Sequence, residues 1–164
     1  GFVLGCAWQV LVGVGLHWGI VPLGQVNIAM YGRNTINAVT GPSNWAQAGA
    51  ALGVALKTKN EEIRQVALSA GITGVFSITE PSIYGVNLKY KKPFYIAVAM
   101  GAVSGAIAVA CNAAALAGGP VGILSFPLFI GEGFMGFVIA MCVSLFGSCA
   151  LTYLFGYDRA NDNQ

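Results

Sequence analysis

The chain has 164 residues, of which 56% are hydrophobic and only 9% charged, with a net charge of +2. An average soluble domain carries about 25% charged residues, so the composition argues against a soluble surface and fits a chain whose solvent is mostly lipid. With so small a charge, and no basic patch interleaved with aromatics, a nucleic-acid-binding surface is excluded as well.

Residues 1–32 carry no formal charge. The first 23, GFVLGCAWQVLVGVGLHWGIVPL, form a candidate bilayer span, which takes about 20 apolar residues. The chain starts inside this apolar segment, with no initiator Met and no signal peptide with a basic leading region, so it is expected to be part of a longer protein. Residues 24–44, rich in Asn, Gly, Gln, Thr and Ser, read as a polar connection. The next segment, NWAQAGAALGVAL (44–56), is apolar but short: a half-helix, or a tilted span if it recruits part of the loop before it. Two basic clusters follow, KTKNEEIR (57–64) and KYKK (89–92). Residues 93–117 are a second candidate span, ended by Gly118-Gly119-Pro120, and residues 133–157 a third. A polar tail, 158–164, closes the chain. The expected fold class is all-α and integral to a membrane, with several transmembrane helices.

The basic clusters constrain the topology, because Lys and Arg concentrate in short cytoplasmic loops. With both clusters on that side, residues 65–88 must leave and return to the same face. As a helix they reach about 36 Å, enough for one crossing of a roughly 30 Å core and too little for two. A re-entrant hairpin at about 65–88, with its tip near 76–80, resolves the conflict. Irregular backbone at membrane depth is tolerated only where it is buried in protein or lines a wet cavity. Glu80, the single charge between Gln65 and Leu88, is therefore expected near the midplane, at a helix break, facing a cavity. The two later spans return the chain so that Arg159 is cytoplasmic. Gly1/Gly5, Gly15/Gly19, Gly49/Gly53 and Gly101/Gly105 have the GxxxG spacing that lets helices approach closely in membranes.

Glu80 is the strongest candidate for chemistry. A central carboxylate costs about 2.5–3.5 kcal/mol on insertion scales and marks a substrate path, a relay or an ion pair. Thr79 offers a hydroxyl, and Pro81 frees a backbone carbonyl by removing an N–H. This combination suits a ligand with many hydroxyls; the competing reading is a carboxylate paired with Arg or Lys, or simply solvated. His17, the only histidine, could bond a sugar hydroxyl or take its proton, or pack as a neutral ring bonded to a carbonyl. Trp18 could stack on a sugar face or anchor at the interface. Asn27, Asn44 and Gln47 are polar groups flanking the short segment 44–56, and loop or cap chemistry suffices for Asn27. Glu132 reads as a helix-start acid. Cys6, Cys111, Cys142 and Cys149 stand singly in apolar runs without metal spacing, which makes them reduced packing residues. No metal site, no cofactor, no phosphate loop and no nucleophile triad is expected.

The stretch SITEPSIYGVNLKYKKPF (77–94) resembles the Gly-Ile-Thr-Glu-Pro-Ala-Ile-Tyr-Gly-Val segment of EIIC. EIIC is the membrane subunit of the bacterial phosphoenolpyruvate:sugar phosphotransferase system (PTS), and the likeness is to the β-glucoside branch of its glucose superfamily. HWGIVP (17–22) and AQAGAALGVALKTKN (46–60) are similar to further parts of that branch, in the same order. The resemblance covers essentially the whole chain, 1–164, as the C-terminal, sugar-binding half of EIIC. Ser77 and Ser82 stand where the motif has glycine and alanine. The resemblance implies a permease that takes a sugar from outside, moves it by an elevator-like shift and presents its C6 hydroxyl to a phosphocysteine on EIIB. It carries the motif glutamate onto Glu80, as a ligand for sugar hydroxyls that positions or deprotonates the acceptor, and the motif histidine onto His17 as a second ligand. Thr79 is their neighbour, and Trp18 and Gln47 complete the candidate sugar-binding set. EIIB and EIIA domains are the implied partners, a homodimer through N-terminal helices outside this chain is the implied assembly, and the bacterial cytoplasmic membrane, crossed several times, the location. Aryl- and alkyl-β-glucosides lead as substrates, with sucrose and trehalose behind. None of the four cysteines sits in a basic, reactive setting, so phosphotransfer requires a domain this chain does not contain. The competing classes are a non-phosphorylating sugar-binding module and an ion-coupled transporter with Glu80 as proton carrier.

The hairpin topology is open to labelling. In a cysteine-free background, Lys59→Cys and Lys91→Cys are both expected to react with impermeant reagents only from the cytoplasmic side; labelling of either from outside overturns the arrangement.

Overall fold

In the computed structural model, which describes residues 1–163, the chain is largely helical and has no strand among the described residues. Only Asn34 and Ala115 pair their backbones in an isolated antiparallel bridge. Gln164, the last residue of the expected polar tail, lies outside the described residues.

The fold is organised around α3 (Thr35–Lys57). Its start is capped by Asn34, whose side chain accepts from the Asn37 amide, as a good N-cap residue does. Between Ala38 and Ala55 every residue but Asn44 and Leu52 is buried. Such burial is possible because α3 is built largely of Ala and Gly, and α1 (Phe2–Gly13), α4 (Glu61–Val75), α7 (Lys92–Ala110) and α8 (Phe134–Leu151) all pack on it. Pro42 sits inside α3; interior proline costs about 3 kcal/mol through a lost hydrogen bond and a ring clash. The Ser144 hydroxyl of α8 donates to the Pro42 carbonyl and ties α8 to α3 at that level.

Three of the four GxxxG pairs are contact points. Gly1 and Gly5 of α1 lie against the Gly105 and Gly101 carbonyls of α7, and a Cβ on Gly101 would fall 2.9 Å from the Gly5 carbonyl oxygen. Gly49 and Gly53 of α3 lie in the same way against the Leu145 and Cys149 carbonyls of α8, and Gly53 also against the Thr152 side chain just beyond it. Gly15 and Gly19 face open space and pack against nothing.

Two of the expected spans hold as single long helices, α7 and α8 with its π-helical extension Thr152–Gly156; these are the two helices long and apolar enough to cross a membrane among the described residues. Residues 1–23 do not form one span. α1 ends at Gly13, Gly15 takes φ +77°, a 3₁₀ turn covers Leu16–Gly19, and α2 (Val21–Tyr31) starts with Pro22 in its first turn. Left-handed backbone at glycine and a proline that favours the start of a helix divide the segment. Residues 24–44 are not a polar connection either: they supply most of α2 and the first part of α3, so the short apolar segment 44–56 belongs to one 23-residue helix. The second span stops at Ala110, before Gly118-Gly119-Pro120. Asn112 takes φ +58°, Ala113 N bonds Ala108 O (2.9 Å) and Asn112 N bonds Val109 O (2.9 Å), which is a Schellman C-cap with asparagine in the left-handed position. Arg33 then donates to the Asn112 carbonyl and side chain.

Residues 61–90 form helix, break and helix. α4 ends at Val75, and α5 (Glu80–Ser82) runs on through a π-helical stretch (Ile83–Asn87) into α6 (Leu88–Tyr90). The break is a second Schellman cap: Ile78 N bonds Thr73 O and Ser77 N bonds Gly74 O, both at 3.1 Å, with Ser77 at φ +80°. The two arms are tied by the buried Ser82 hydroxyl, which donates to Ala70 O at 2.6 Å. Ser82 thus adds a cross-arm bond that the alanine of the motif cannot make.

At the foot of these arms the tail closes the structure. The Asp162 carboxylate accepts from the Thr58 hydroxyl, the Lys59 amide (3.0 Å) and the Tyr157 hydroxyl (2.7 Å). The Thr58 bond leads the contacts that hold its carboxyl below the usual range, as Lys92 holds Asp158 at 2.7 Å. Tyr157 is fully buried, edge-on to Tyr90 at 5.0 Å. Both basic clusters and the tail therefore meet at one end of the molecule, and Arg33 lies at the other.

Ser77 occupies a conformation that costs an L-residue about 1–2 kcal/mol. Glycine removes that strain but loses about 0.5–1 kcal/mol to its freer unfolded chain. Ser77→Gly is expected to stabilise the fold by about 0.5–1 kcal/mol, read as a raised thermal midpoint in detergent; a lowered midpoint overturns the cap assignment.

Candidate functional site

A cavity of about 470 Å³ opens where α1, the 3₁₀ turn, α2, α3, the helix break and the loop at 119–121 converge. The volume is in the range of small-molecule sites, about 300–1,000 Å³. Each wall has a structural cause. The Schellman cap turns the chain at Ser77, so that Ser77–Glu80 face the cavity. Gly122 holds that turn, since a Cβ there would lie within 2.9 Å of Val75 O and Ser77 N. Trp45 Nε1 donates to Val75 O at 3.2 Å and fixes it from α3. Tyr84, one helical turn past Glu80, donates its hydroxyl towards Val12 O and Gly13 O (both 3.2 Å), which binds the π-helical stretch after α5 to the end of α1.

Four of the five sequence-predicted residues meet in this cavity: His17, Trp18, Thr79 and Glu80. Thr79 is buried and Glu80 exposed at the cavity surface. The ion pairs among the described residues are Arg64–Glu61 and Lys92–Asp158, so the structural alternative for Glu80, pairing with a cation, finds no partner there. His17 lies between two indoles, with its ring centroid 5.8 Å from Trp8 (74° between planes) and 5.4 Å from Trp18 (37°). Its Nδ1 is buried without a hydrogen-bond partner, so it does not rest on a carbonyl as the packing alternative required. Trp18 is 69% exposed.

Gln47 does not line the cavity. It lies nearly one turn beyond Asn44 on α3, fully buried, with both side-chain polar atoms unpaired, and its carbonyl accepts from Asn87 Nδ2 at 3.1 Å. The helix carries it past the cavity floor into the seam with the π-helical stretch. The polar residues that α3 does bring to the cavity are Asn37, Thr40 and Asn44. Sequence reasoning placed the first two in a loop; their spacing of three and four is a helical stripe. Trp8, whose Nε1 donates to Asn44 Oδ1 at 2.8 Å, was also missed. The Asn34 cap was the available signal that a helix begins there.

The site combines an unpaired carboxylate, hydroxyls, amides, one imidazole and two indoles around one cavity. Such a lining can bond several hydroxyls of one ligand and pack on its apolar faces. Among the described residues no cluster of His, Cys, Asp and Glu could hold a metal ion.

Residues 1–102 match the family model described as phosphotransferase system, EIIC. The chain is 38% identical to the PTS system beta-glucoside-specific EIIBCA component of Halalkalibacterium halodurans, over 98% of this chain and 26% of that protein. It is 34% identical to the PTS system sucrose-specific EIIBC component of Bacillus subtilis, over 84% of this chain and 30% of that protein. It is 32% identical to the PTS system MurNAc-GlcNAc-specific EIIBC component of Staphylococcus epidermidis, over 99% of this chain and 35% of that protein. The chain thus spans about a quarter to a third of the length of these relatives. No solved structure gives a significant match.

Proposed function

Because this chain belongs to the EIIC family of the phosphotransferase system, we propose that its cavity is the sugar site of a permease that carries a β-glucoside across the bacterial cytoplasmic membrane for phosphorylation at C6. The observation that carries this reading is the convergence of His17 and Trp18 from one motif with Thr79 and Glu80 from another, some sixty residues on, on one cavity. A β-glucoside is favoured over the sugars of the other relatives because the more similar relatives bear that specificity in their names.

The roles follow from the chemistry of the groups. The Glu80 carboxylate accepts hydrogen bonds from sugar hydroxyls, and a charge-assisted bond is worth about 1.5–3 kcal/mol. The Thr79 hydroxyl both donates and accepts. The His17 ring bonds a further hydroxyl through Nε2, the nitrogen that is not buried, and the Trp8 and Trp18 rings pack on the apolar faces of the sugar. In the transfer itself the S–P bond of a phosphocysteine on EIIB breaks, a P–O bond forms to the C6 oxygen, and the hydroxyl proton passes to a base, for which Glu80 and His17 are the available groups. This chain is the C-terminal, substrate-binding part of EIIC, with EIIB and EIIA domains as its phosphoryl donors and a homodimer through N-terminal helices as its assembly. Residues 61–90 form the re-entrant hairpin, entering from the cytoplasmic end where the basic clusters gather and turning at Ser77 within the membrane.

Two measurements on the full-length protein test the proposal. Glu80→Gln keeps shape and removes charge; sugar affinity is expected to fall roughly ten- to a hundredfold with insertion intact. Unchanged affinity makes Glu80 structural. A 6-deoxy-β-glucoside keeps the ring hydroxyls and lacks the acceptor, so it is expected to compete for the site with affinity lowered by about 0.5–1.5 kcal/mol and never to be phosphorylated. Concentrative uptake of the unmodified 6-deoxy sugar rules out group translocation and leaves ion-coupled transport.

A further inference from the structure

Asn44 and Asn37 face the cavity from α3 with their amides held in defined orientations. An amide can usually be turned by half a revolution without changing its outline, so its direction has to be derived from its partners. Here the partners leave no choice. The Trp8 indole N–H only donates, and it lies 2.8 Å from Asn44; the atom facing it must be Oδ1. The Gly119 carbonyl only accepts, and it lies 3.2 Å from Asn37; the atom facing it must be Nδ2. The remaining atoms, Asn44 Nδ2 and Asn37 Oδ1, make no hydrogen bond to the protein, and neither is buried.

Trp8 cannot easily give way. It is 6% exposed, packed with Val12 and Ile83 and edge-on to His17. Its N–H is therefore a fixed reference that points the Asn44 amide. Glu80 lines the same cavity, and as a carboxylate it only accepts. A hydroxyl that gives its hydrogen to a carboxylate has an oxygen that still seeks a donor, and Asn44 Nδ2 is a donor already oriented and already free.

Resting on the sugar-site reading above, we propose that Asn44 is a further sugar-binding residue, its amide aimed by Trp8 so that Nδ2 donates to one hydroxyl oxygen of the bound sugar. Asn37 Oδ1 complements it as a preset acceptor on the same helix face. Because Trp8 holds the amide before the ligand arrives, little ordering is left for binding to accomplish, and the site discriminates by hydroxyl position.

The experiment is a mutant–ligand cycle in the full-length protein. Affinities of methyl β-D-glucoside and its 2-, 3-, 4- and 6-deoxy derivatives are measured for wild type, Asn44→Leu and Trp8→Phe. In wild type, one deoxy derivative is expected to bind about three- to tenfold more weakly for want of the Asn44 bond. In Asn44→Leu that same penalty is expected to vanish while the penalties at the other positions persist, which is the coupling such a cycle isolates. Trp8→Phe keeps an aromatic ring and removes the N–H, so the penalty at that one position is expected to shrink; this variant decides the matter if Asn44→Leu does not fold. If both variants weaken all five sugars by the same factor, Asn44 only supports Trp8 and the proposal is overturned with the sugar site intact. If wild type binds none of the five, the sugar-site reading falls and this assignment falls with it.

Discussion

Everything in this molecule depends on how closely other helices approach α3. Its glycines place backbone against backbone: Gly49 and Gly53 lie on the Leu145 and Cys149 carbonyls of α8, while α1 and α7 meet through Gly5 and Gly101 on its flank. Within a membrane there is no hydrophobic gain from helix association, since lipid tails are as apolar as leucine, and tight van der Waals contact must supply the attraction. Small residues allow that contact. They also leave few large side chains inside the bundle, so polar groups can reach inward: Asn37 and Asn44 are held by neighbouring backbone and indole, while the Gln47 side chain is buried unpaired.

With the bundle packed so tightly, the one deliberate interruption acquires meaning. Between Val75 and Glu80 the helix is stopped by a Schellman cap whose left-handed position is filled by serine, and the stop is held from three sides by Trp45, Gly122 and the Ser82–Ala70 bond. Strained backbone persists only where its surroundings over-determine it, and it clusters at functional sites. This turn brings Thr79 and Glu80 to the cavity from one side while the 3₁₀ turn brings His17 and Trp18 from another. Both are non-α segments placed between helices by local signals: a left-handed residue before each and a proline after each.

Those signals explain what could be read in the sequence. Glu80 stood out because it is the one charge in a long apolar run, and the helix break beside it followed from the distance between two basic clusters. The long helices α7 and α8 were legible from uninterrupted apolar length. What was missed shares a cause. Residues 24–44 look like a loop by composition, yet Asn, Thr, Gly and Ser are tolerated in a helix whose neighbours bury them, and tertiary packing overrides propensity there. Mistaking that segment hid the polar stripe of α3 and, with it, Asn37 and Thr40. The break at Gly15 was hidden by the opposite error, since apolar composition over residues 1–23 says nothing about backbone sign. Gln47 was included in the candidate set as a polar group at the short apolar segment, but three residues beyond Asn44 along a helix are enough to turn a side chain from a cavity into a seam.

The glycine contacts also shape how this chain can vary. A core of leucines tolerates truncation at the cost of a void, and drifts by exchanging one large side chain for another. A seam in which a single added methyl would strike a carbonyl, as at Gly5, Gly49 and Gly101, admits change in one direction only, and that direction is closed. Variation is thereby pushed outward, onto the apolar outer faces of α2, α7 and α8, where Val26, Met30, Tyr95, Met135, Ile139 and Phe146 stand exposed. Homologues that diverge in the sugar they take would be expected to share their seams and differ at their outward-facing residues and cavity walls, so that the least chemically distinctive residues of the chain become its most diagnostic ones.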